Sequence, residues 1–479
     1  MGSMVAAFDR NGKEAPSMVL KMLEELKHRA TATPKIATQP MTFLSHSVNG
    51  SDDQGLCSKV AVGTNSSEPV LGKDFTWVFE GRFFSPSASI MDRIKHEMGQ
   101  HPLRISQDIL KETDGSYTFG LAFPQKIVVA RDTLGTKPLY YGGNESVYAA
   151  ATERKALWKI GIGDVYSFPP GNLATVSESG FAFEPVARME PAPRRSIIME
   201  RAAKKLQELL LESTKKRVAD VRSVAVAFSG GLDSSVIASL AKLAEVEVHL
   251  ICVGLKGQNE MDTARKAAEM LELPLYAKTY TAADVEKALS KVLWLIEEPD
   301  LMKVSVAIPF FWVAETASNF KYDVLLAGQG ADELFGGYQR YLTDYVTGGV
   351  RKLEQALYRD LAMSYETNFQ RDEPVCAFHR VDLRLPFIDS EVVRFSLNLP
   401  VNLKIESAQD RLRKRVLRQV ARNLCIPPFI ADRPKRAIQF STGVDKALRL
   451  LASNEGFTQR AYVENIFKRV YPGLGAQGT

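Results

Sequence analysis

The chain has 479 residues, which by size alone favours two domains. Its 45% hydrophobic and 24% charged residues are typical of a globular protein and exclude an intrinsically disordered chain. A net charge of +5 over this length gives no reason to expect a nucleic-acid partner. No apolar run reaches membrane length and no signal-peptide pattern opens the chain, so we expect a cytoplasmic protein without a membrane partner. The cysteines are scattered, without the spacing of a zinc site or a disulfide framework: Cys57, Cys252, Cys376 and Cys425.

The first domain is predicted over residues 4–190 and is rich in strands. Short runs of alternating hydrophobicity are separated by turn clusters, which favours β-strands. Layers of sheet with a few helices indicate an α+β sandwich. The predicted strands are 35–37, 42–44, 59–62, 76–79, 117–123, 127–130, 139–141 and 146–150. The predicted helices are 15–29, 87–98 and 105–112.

A proline-rich, charged segment at residues 191–196 predicts a linker. Ser196 is expected to cap a helix that extends to about Arg217, because apolar residues recur on one face of that stretch. The second domain would then cover residues 197–472, followed by a tail at 473–479.

In the second domain, predicted strands alternate with predicted helices. This order indicates a doubly wound parallel sheet with helices on both faces, followed by extra helices. Ligands of such sheets bind at the carboxyl ends of the strands. The predicted strands are 224–228, 246–254, 275–278 and 324–327. The predicted helices are 234–243, 259–271, 282–296, 306–319, 350–362, 390–396, 410–423 and 442–452.

The first of these strands leads into a string that predicts a phosphate-binding loop. Glycine permits a tight turn close to a ligand, and the first N–H groups of the next helix can bind an anion because they have no partner within the helix. A carboxylate at this place would repel phosphates unless a magnesium ion lay between them. Two glycines before a helix are common, but the whole string is rare. The predicted nucleotide-binding residues are Phe228, Ser229, Gly230, Gly231, Leu232, Asp233 and Ser234.

A second string, at the end of the fourth strand, repeats the arrangement of glycines followed by carboxylates. Ala327, Gly328 and Gly330 would let a nucleotide approach the backbone closely. Asp332 offers a second carboxylate in this string. We therefore predict that Asp233 and Asp332 together bind Mg²⁺ over the triphosphate of ATP.

Both strings resemble those of known families. Residues 229–235 look like the pyrophosphate loop of the N-type ATP pyrophosphatases, and residues 325–338 closely resemble the synthetase half of asparagine synthetase B. Residues 381–389 and 433–440 match the same half. The resemblance implies an adenine-nucleotide α-hydrolase-like fold and cleavage of ATP between its α and β phosphates, with AMP left on an acyl group. It also implies that Val253 and Gly254 lie at the adenine and that Lys435 contacts the α-phosphate and the acyl intermediate.

One position departs from that family. Its best-studied members carry a glutamate that handles the amine where this chain has Gln329. A glutamine side chain cannot take a proton, which excludes it as a general base. β-Lactam synthetases, which also lack the N-terminal cysteine, have a tyrosine there. Asp382 is then a candidate for handling the proton, and a salt bridge is an equally good role for it. The predicted catalytic residues are Lys435, Gln329 and Asp382.

The first domain resembles the glutaminase, or Ntn-like, half of asparagine synthetase B at residues 8–12, 114–120 and 130–141, among others. In that family the N-terminal cysteine is the nucleophile and its own α-amine is the base. Here Gly2, Ser3 and Met4 follow Met1, and the first cysteine of the printed sequence is Cys57. Two strings that the resemblance associates with glutamine, at 28–32 and 80–82, are altered as well. A glutaminase fold without glutaminase activity explains these changes, and so does a chain that has lost its native first residues.

These patterns predict an ATP-dependent, AMP-forming ligase that resembles asparagine synthetase. It would join aspartate or a related acid to ammonia or another amine, without using glutamine. Two alternatives remain open: a β-lactam-synthetase-like cyclase that acts on a larger acid, and a non-catalytic homologue that binds nucleotide and regulates a partner. The expected partners are small-molecule acid and amine substrates, and a homodimer is a possible assembly.

Two further segments have open roles. The basic stretch 411–422 is interpreted as a solvated helix face with some phosphate-site residues, because no aromatic residues interleave it as in a nucleic-acid surface. Segment 297–303 lies at a predicted strand edge, where it could select the acceptor acid or merely end a helix.

Overall fold

The computed structural model of the protein describes residues 2–12, 14–38, 43–45, 58–84, 88–190, 196–434 and 442–473. The chain divides into two compact units, one that runs up to Arg188 and one that covers Met189–Pro472. Each unit has its own sheets, which are described separately below.

The strands of the first unit form two antiparallel sheets. They are β1 Met4–Asp9, β2 Lys35–Thr38, β3 Phe43–Ser45, β4 Val60–Thr64, β5 Val70–Leu71, β6 Thr76–Phe83, β7 Gly115–Phe123, β8 Lys126–Arg131, β9 Tyr140–Gly143, β10 Val147–Ala151, β11 Val165–Ser167, β12 Asn172–Ser177 and β13 Gly180–Pro185. Over the described residues, one sheet has the order β11-β9-β10-β1-β4-β2-β3 and the other β13-β12-β8-β7-β6-β5.

The two sheets lie between two layers of helix. Alternate residues of β1 enter different cores: Val5 packs with Val19 and Leu23, whereas Phe8 packs with Val129 of the other sheet. This is the two-residue period of a strand buried on both faces. A third core joins the outer face of the second sheet to two helices. The order helix, sheet, sheet, helix gives the expected α+β sandwich. The helices are α1 Ala15–Glu25, α2 Ala88–His96, α3 Pro102–Glu112 and α4 Arg154–Lys159, with a 3₁₀ turn at Lys27–Arg29.

The second unit is built on one parallel sheet. Its strands are β14 Ser223–Ala227, β15 Glu247–Leu255, β16 Leu275–Tyr280, β17 Val324–Leu326 and β18 Asp382–Arg384. In the described part of the unit their order is β16-β15-β14-β17-β18, and all neighbouring pairs are parallel. The order reverses direction at β14, so the loops after β14 and β17 flank the switch point where such folds bind ligands.

Helices surround this sheet. They are α5 Met199–Val218, α6 Leu232–Leu243, α7 Asn259–Leu271, α8 Ala282–Ile296, α9 Leu301–Asn319, α10 Ala331–Phe335, α11 Arg340–Ala362, α12 Gln370–Phe378, α13 Ser390–Leu397, α14 Arg415–Asn423, α15 Pro428–Ala431, α16 Val444–Asn454 and α17 Gln459–Val470. A π-helical turn at Tyr365–Phe369 precedes α12, and a 3₁₀ turn lies at Val401–Leu403.

The first helix of this unit, α5, is tied to the segment after β18. Arg384 donates to Asp220 Oδ1 at 2.6 Å, and Arg217 donates to Asp389 Oδ2 at 3.1 Å. Ser213 Oγ donates to the carbonyl of Pro386 at 2.7 Å. These bonds hold the edge strand β18 in the sheet through side chains of α5 and of the turn that follows it, far earlier in the chain.

Several predicted boundaries were wrong. Ser196 does not cap α5, which begins at Met199 with Ile198 at its N-cap and without a side-chain cap. The predicted helix at 410–423 begins only at Arg415, because Lys414 has left-handed backbone angles. The fifth strand, β18, was not predicted, since a run of three residues carries too short a pattern.

Helix α9 meets the length and hydropathy limits of a membrane-spanning helix, contrary to the expectation from the sequence. However, 67% of its most apolar window is buried within the fold. It packs against β14, β15 and β17 and against α8 and α12. This is the environment of a core helix, which needs to be apolar on all sides.

Candidate active site

The loop between β14 and α6 is held in shape by hydrogen bonds to the hydroxyl of Ser234. Ser234 Oγ accepts from Ser229 N at 3.3 Å and donates to the carbonyl of Gly231 at 3.3 Å. Gly230 has a φ of +67°, and a Cβ there would lie 2.9 Å from Ala264 Cα, so only glycine fits. Among the described side chains none caps the first turn of α6. Its N–H groups are therefore available to an anion.

The ends of β15 and β17 reach the same edge of the sheet as this loop. Val253 and Gly254 extend beyond the last residue pair between β14 and β15. Gly328, just after β17, touches the start of α6, since a Cβ there would lie 3.0 Å from Asp233 Cβ. Gly330 has a φ of +91° and turns the chain into α10. The segments predicted to bind nucleotide thus meet at one edge.

The two carboxylates predicted to bind magnesium converge on one ammonium group. Lys414 Nζ lies 2.7 Å from both carboxylate oxygens of Asp233 and 2.7 Å from Asp332 Oδ1. The lysine side chain is 2% exposed, whereas the side chains of Asp233 and Asp332 are 16% and 13% exposed. The ends of β14 and β17 therefore bring the two carboxylates together, and Lys414, which lies 181 residues after Asp233 in the chain, pairs with both.

This pair fits magnesium that is bound together with a nucleotide. No group of three or more His, Cys, Asp or Glu side chains that could hold a metal occurs among the described residues. Mg²⁺ is commonly held by one or two carboxylates plus substrate phosphates and water, so it does not need a full cage of protein ligands. Asp233 and Asp332 supply the oxygen ligands of that type and face the loop that would hold the phosphates.

Gln329 is held by a buried carboxylate that the sequence patterns did not single out. Its Nε2 donates to Asp372 Oδ2 at 2.5 Å. Asp372 is 0% exposed, and its two oxygens also accept from Arg371 Nε and Nη2 at 2.7 Å. Because a carboxylate can only accept, this bond directs the amide nitrogen of Gln329 to Asp372 and its oxygen away from it. The adjacent opposite charges of Arg371 and Asp372 were the available sign of this network in the sequence.

Glu333 lies in a second buried cluster at this edge. It accepts from Tyr338 Oη at 2.5 Å and from Asn368 Nδ2 at 2.8 Å. Burial and the neighbouring Asp332 carboxylate raise the pKa of Glu333. Asn368 belongs to the π-helical turn, and such turns are frequent at functional sites. Carboxyl groups with perturbed pKa values are frequent at functional sites, so Glu333 supports a site at this edge of the sheet.

Two predicted catalytic residues do not join this group. Asp382 begins β18 and pairs in register with Val324, so it lies at the opposite end of the strands from the loops. Its carboxylate accepts from Arg384 Nε at 2.7 Å, which is the salt bridge that the sequence left open for it. Lys435 lies outside the described residues. The catalytic roles of both stay predictions.

The basic stretch before and within α14 is only in part the expected solvated face: Arg411 and Arg422 are exposed, but three other cations of the stretch are buried. Arg413, Lys414 and Arg418 are only 4%, 2% and 3% exposed. Arg413 Nε donates to the carbonyl of Gly337 at 3.1 Å, and Arg418 Nε donates to the carbonyl of Arg413 at 2.7 Å. These cations fasten the segment to the loop that follows α10.

In the first unit, the start of the chain lies against a buried carboxylate. Gly2 N donates to Glu80 Oε1 at 2.7 Å, and Lys137 Nζ lies 3.1 Å from the same oxygen. Burial by itself would raise the pKa of Glu80, but the Lys137 ammonium, the Ser66 hydroxyl and Arg29 lower it. A Cβ at Gly2 would lie 2.2 Å from Ser66 Cβ and 2.8 Å from Glu80 Oε2. This place therefore has no room for a side chain.

A second carboxylate of the first unit is surrounded by cations. Glu153 is 1% exposed and lies 3.1 Å from His28 Nε2, 3.0 Å from Arg29 Nη1 and 2.5 Å from Lys155 Nζ. Burial by itself would raise the pKa of Glu153, but His28, Lys155 and Arg29 hold it well below its usual range. His28 and Arg29 belong to the altered string at residues 28–32, and here both contact the buried carboxylate of Glu153.

The comparisons with known proteins agree with these features. A family model described as asparagine synthase matches residues 205–349 and 343–471, more than half of the chain. A protein of Methanocaldococcus jannaschii named as a glutamine-hydrolysing asparagine synthetase is 32% identical over 401 residues, which are 74% of this chain and 74% of that protein. The chain belongs to the asparagine synthetase family. It is therefore a carbon–nitrogen ligase, of a family that uses ATP, usually with Mg²⁺.

Further matches cover either nearly the whole chain or parts of it. The asparagine synthetase of Asparagus officinalis, also named glutamine-hydrolysing, is 26% identical over 512 residues, 96% of this chain and 84% of that one. A model described as a glutamine amidotransferase domain matches residues 89–159. Among solved structures, the glutamine phosphoribosylpyrophosphate amidotransferase of B. subtilis aligns with a TM-score of 0.33 at 16% identity, covering 57% of this chain and 65% of that one. NMN synthetase from Francisella tularensis aligns with a TM-score of 0.30 at 16% identity, covering 59% and 99%. Membership in the asparagine synthetase family rests on the sequence matches alone.

Proposed function

We propose that this member of the asparagine synthetase family activates a carboxylic acid with ATP and converts it to an amide, releasing AMP and pyrophosphate. A free carboxylate does not accept an amine, because oxide would have to leave. Transfer of AMP to the acid gives a mixed anhydride with a good leaving group. The observation that carries the proposal is the convergence of Asp233 and Asp332 from two strand ends, beside a glycine loop and the uncapped start of α6.

The residues at this edge would have separate roles. The first N–H groups of α6, with Ser229 and Ser234, would bind the departing pyrophosphate. Asp233 and Asp332 would hold Mg²⁺, which would neutralise charge on the phosphates. Lys435 would contact the α-phosphate, as the family resemblance implies. Each contact would strengthen as charge develops in the transition state, which is what lowers the barrier.

The amine is proposed to be free ammonia or another amine from solution. Support comes from the surroundings of Gly2 at the start of the first unit, where a side chain would not fit. The carboxylates around it are already compensated by buried cations. The first unit would then keep an amidotransferase-like fold without hydrolysing glutamine.

Pyrophosphate release with a panel of acids tests the ligase. We expect release that requires ATP, Mg²⁺ and one acid, such as aspartate, and that ammonium supports better than glutamine. Asp332→Asn should lower this rate by roughly two to three decades, because one oxygen ligand and one charge are lost. Asp432→Asn, which loses an exposed ion pair with Arg422, is the control and should keep the rate. A near-normal rate in Asp332→Asn contradicts the proposal, and release with a larger acid and no amine favours a cyclase instead.

Glutamine hydrolysis tests the role of the first unit. The unaltered chain should not hydrolyse glutamine, and Gly2→Cys should not gain this activity, because its Cβ would collide with Ser66. The double variant Gly2→Cys/Ser66→Gly removes the closest of these contacts and is the matched comparison. Robust glutaminase activity in the unaltered chain, whose mass is verified to begin with the printed sequence, would refute the proposed amine source.

A further inference from the structure

Lys414 lies between the two carboxylates where the proposed function puts a divalent ion. We propose that Lys414 is a resident cation: it keeps Asp233 and Asp332 together in the metal-free enzyme and withdraws when a divalent ion binds between them. This inference rests on the proposed function for the metal site, and it adds a competition between a side chain and the metal.

The geometry shows why the carboxylates need a cation. One ammonium reaches both groups at 2.7 Å, so the two carboxylates are close enough to repel each other strongly if both are ionised and nothing lies between them. Lys414 is 2% exposed, so water does not screen its charge well. The ammonium therefore stabilises a convergence that would otherwise open.

The backbone is shaped to deliver this lysine. Arg413 and Lys414 have φ values of +52° and +53°, which non-glycine residues seldom adopt. Such a conformation persists only where the surroundings enforce it. Here Asp410 Oδ1 accepts from Arg413 N at 2.8 Å, and Arg418 Nε donates to the carbonyl of Arg413 at 2.7 Å. The left-handed backbone of these two residues indicates that Lys414 is held in this position for a function, beyond forming an ion pair.

Gly337 provides the space through which the side chain passes. A Cβ at Gly337 would lie 1.8 Å from Asp332 Oδ1 and 2.3 Å from Lys414 Cε. Arg413 Nε donates to the carbonyl of the same glycine at 3.1 Å. The loop after α10 and the segment before α14 are thus built around the lysine, which explains a glycine at this position.

The exchange of cations has a clear charge balance. Two ionised carboxylates and one ammonium carry a net charge of −1, and a divalent ion in place of the ammonium makes the pair neutral. The displaced ammonium then needs a new acceptor, which phosphate oxygens can supply. A divalent ion should therefore bind weakly by itself and more tightly together with a nucleotide.

Binding of Mn²⁺ without nucleotide tests the proposal on the full chain. Lys414→Met keeps the length of the side chain but removes the charge. We expect it to bind Mn²⁺ about ten- to a hundredfold more tightly than the unaltered chain, since a charge-assisted contact no longer competes. Its melting temperature without metal should fall, and Mn²⁺ should restore it. Mn²⁺ binding is measured by electron paramagnetic resonance and melting by circular dichroism.

A matched control separates competition from general destabilisation. Lys216 also pairs with a buried carboxylate, Asp389, at 3.3 Å, and it belongs to α5, which supplies no residue to the proposed metal site. Lys216→Met should lower the melting temperature without any gain in Mn²⁺ affinity. Unchanged or weaker Mn²⁺ binding by Lys414→Met would overturn the proposal.

A second variant covers the case in which Lys414→Met does not fold without metal. Lys414→Met/Asp332→Asn removes the repulsion as well as the ammonium, so it should fold without metal and show no gain in affinity. Failure of this double variant to recover the metal-free melting temperature would also overturn the proposal. Because these measurements contain no ATP and no acid, they can fail while pyrophosphate release succeeds, and the reverse.

Discussion

Both units contain carboxylates that pair with buried cations, but the carboxylates are fully buried in the first unit and partly exposed in the second. In the first unit, Glu80 and Glu153 are 2% and 1% exposed and contact buried cations. Gly2 is surrounded so closely that a Cβ would collide with its neighbours. In the second unit, Asp233 and Asp332 keep 16% and 13% of their side-chain surface exposed and face a glycine loop.

The difference shows how buried charge can serve either a fold or a reaction. In the cluster of Glu153 one carboxylate faces two buried cations, Arg29 and Lys155, so no negative charge is left to attract a metal ion, and loss of the carboxylate is costly. The cluster of Asp233, Asp332 and Lys414 holds fewer positive than negative charges and borders open loops. An incompletely compensated cluster of this kind gains by binding a further cation. Three changes can break or sharpen this contrast.

The largest effect is expected for Glu153→Gln. Two buried cations, Arg29 and Lys155, would lose their carboxylate, and the free energy of unfolding should fall by about 3–5 kcal/mol at pH 7. Urea denaturation measures this change. In the unaltered chain, the contribution of Glu153 is fully present above the ordinary pKa of 4.5 and is lost as the pH falls through its lowered folded-state pKa.

Glu178→Gln is the control for this prediction. Glu178 pairs with Lys59 at the surface, where its side chain is 70% exposed, so its replacement should leave the unfolding curve unchanged. Equal stability of Glu153→Gln and the unaltered chain would show that the first unit does not depend on the cluster of Glu153.

An intermediate effect is expected for Gln329→Glu, although family members carry glutamate there. The new carboxylate would face Asp372, which now accepts from Gln329 Nε2 at 2.5 Å. The free energy of unfolding should fall by about 1–3 kcal/mol, because one buried hydrogen bond is lost and a carboxylate is left facing another. The double variant Gln329→Glu/Asp372→Asn exchanges amide and carboxylate and should recover part of the loss. A single variant as stable as the unaltered chain would mean that Asp372 does not fix Gln329.

The smallest effect concerns pH and Glu333. Its folded-state pKa is raised, so the folded chain binds this proton more tightly than the unfolded chain, whose ordinary pKa is 4.5. The stabilisation is present below pH 4.5 and is lost as the pH rises through the raised pKa. Glu333→Gln, which can still accept from Tyr338 and Asn368, should remove this part of the pH dependence. Urea denaturation from pH 4 to 8 tests it, and an unchanged pH profile would be the contrary result.

The sequence predicted those parts of the site that are local in the chain. Glycines and carboxylates after buried strands are a pattern of a few residues, so both loops and the pair Asp233 and Asp332 could be found. Lys414 could not, because it lies 181 residues from Asp233 and its neighbours suggested a regular helix. The left-handed backbone at Arg413 and Lys414 directs that stretch toward the carboxylates. Arginine and lysine seldom adopt this conformation, so the residue types do not predict it.

The alternation of strands and helices likewise predicted the parallel sheet, but it did not predict the edge strand β18. β18 has three residues and joins β17 across more than fifty residues of helical chain, so no periodic pattern marks it. Its place depends on Arg217 of α5 and on Asp220 just after that helix, both more than 160 residues earlier in the chain. Such long-range pairings are decided by the tertiary fold and not by local propensity.

The bonds from α5 to the chain after β18 also set the shortest piece of this protein that can be studied alone. A fragment that starts at β14 would retain every loop of the proposed site, yet it would lose Asp220, which pairs with Arg384, and Arg217, which pairs with Asp389. Such a fragment should be insoluble or unfolded, whereas one that begins before Met199 keeps those partners. Dissection of the ligase half should therefore cut upstream of α5, even though no residue of that helix is proposed to touch a substrate.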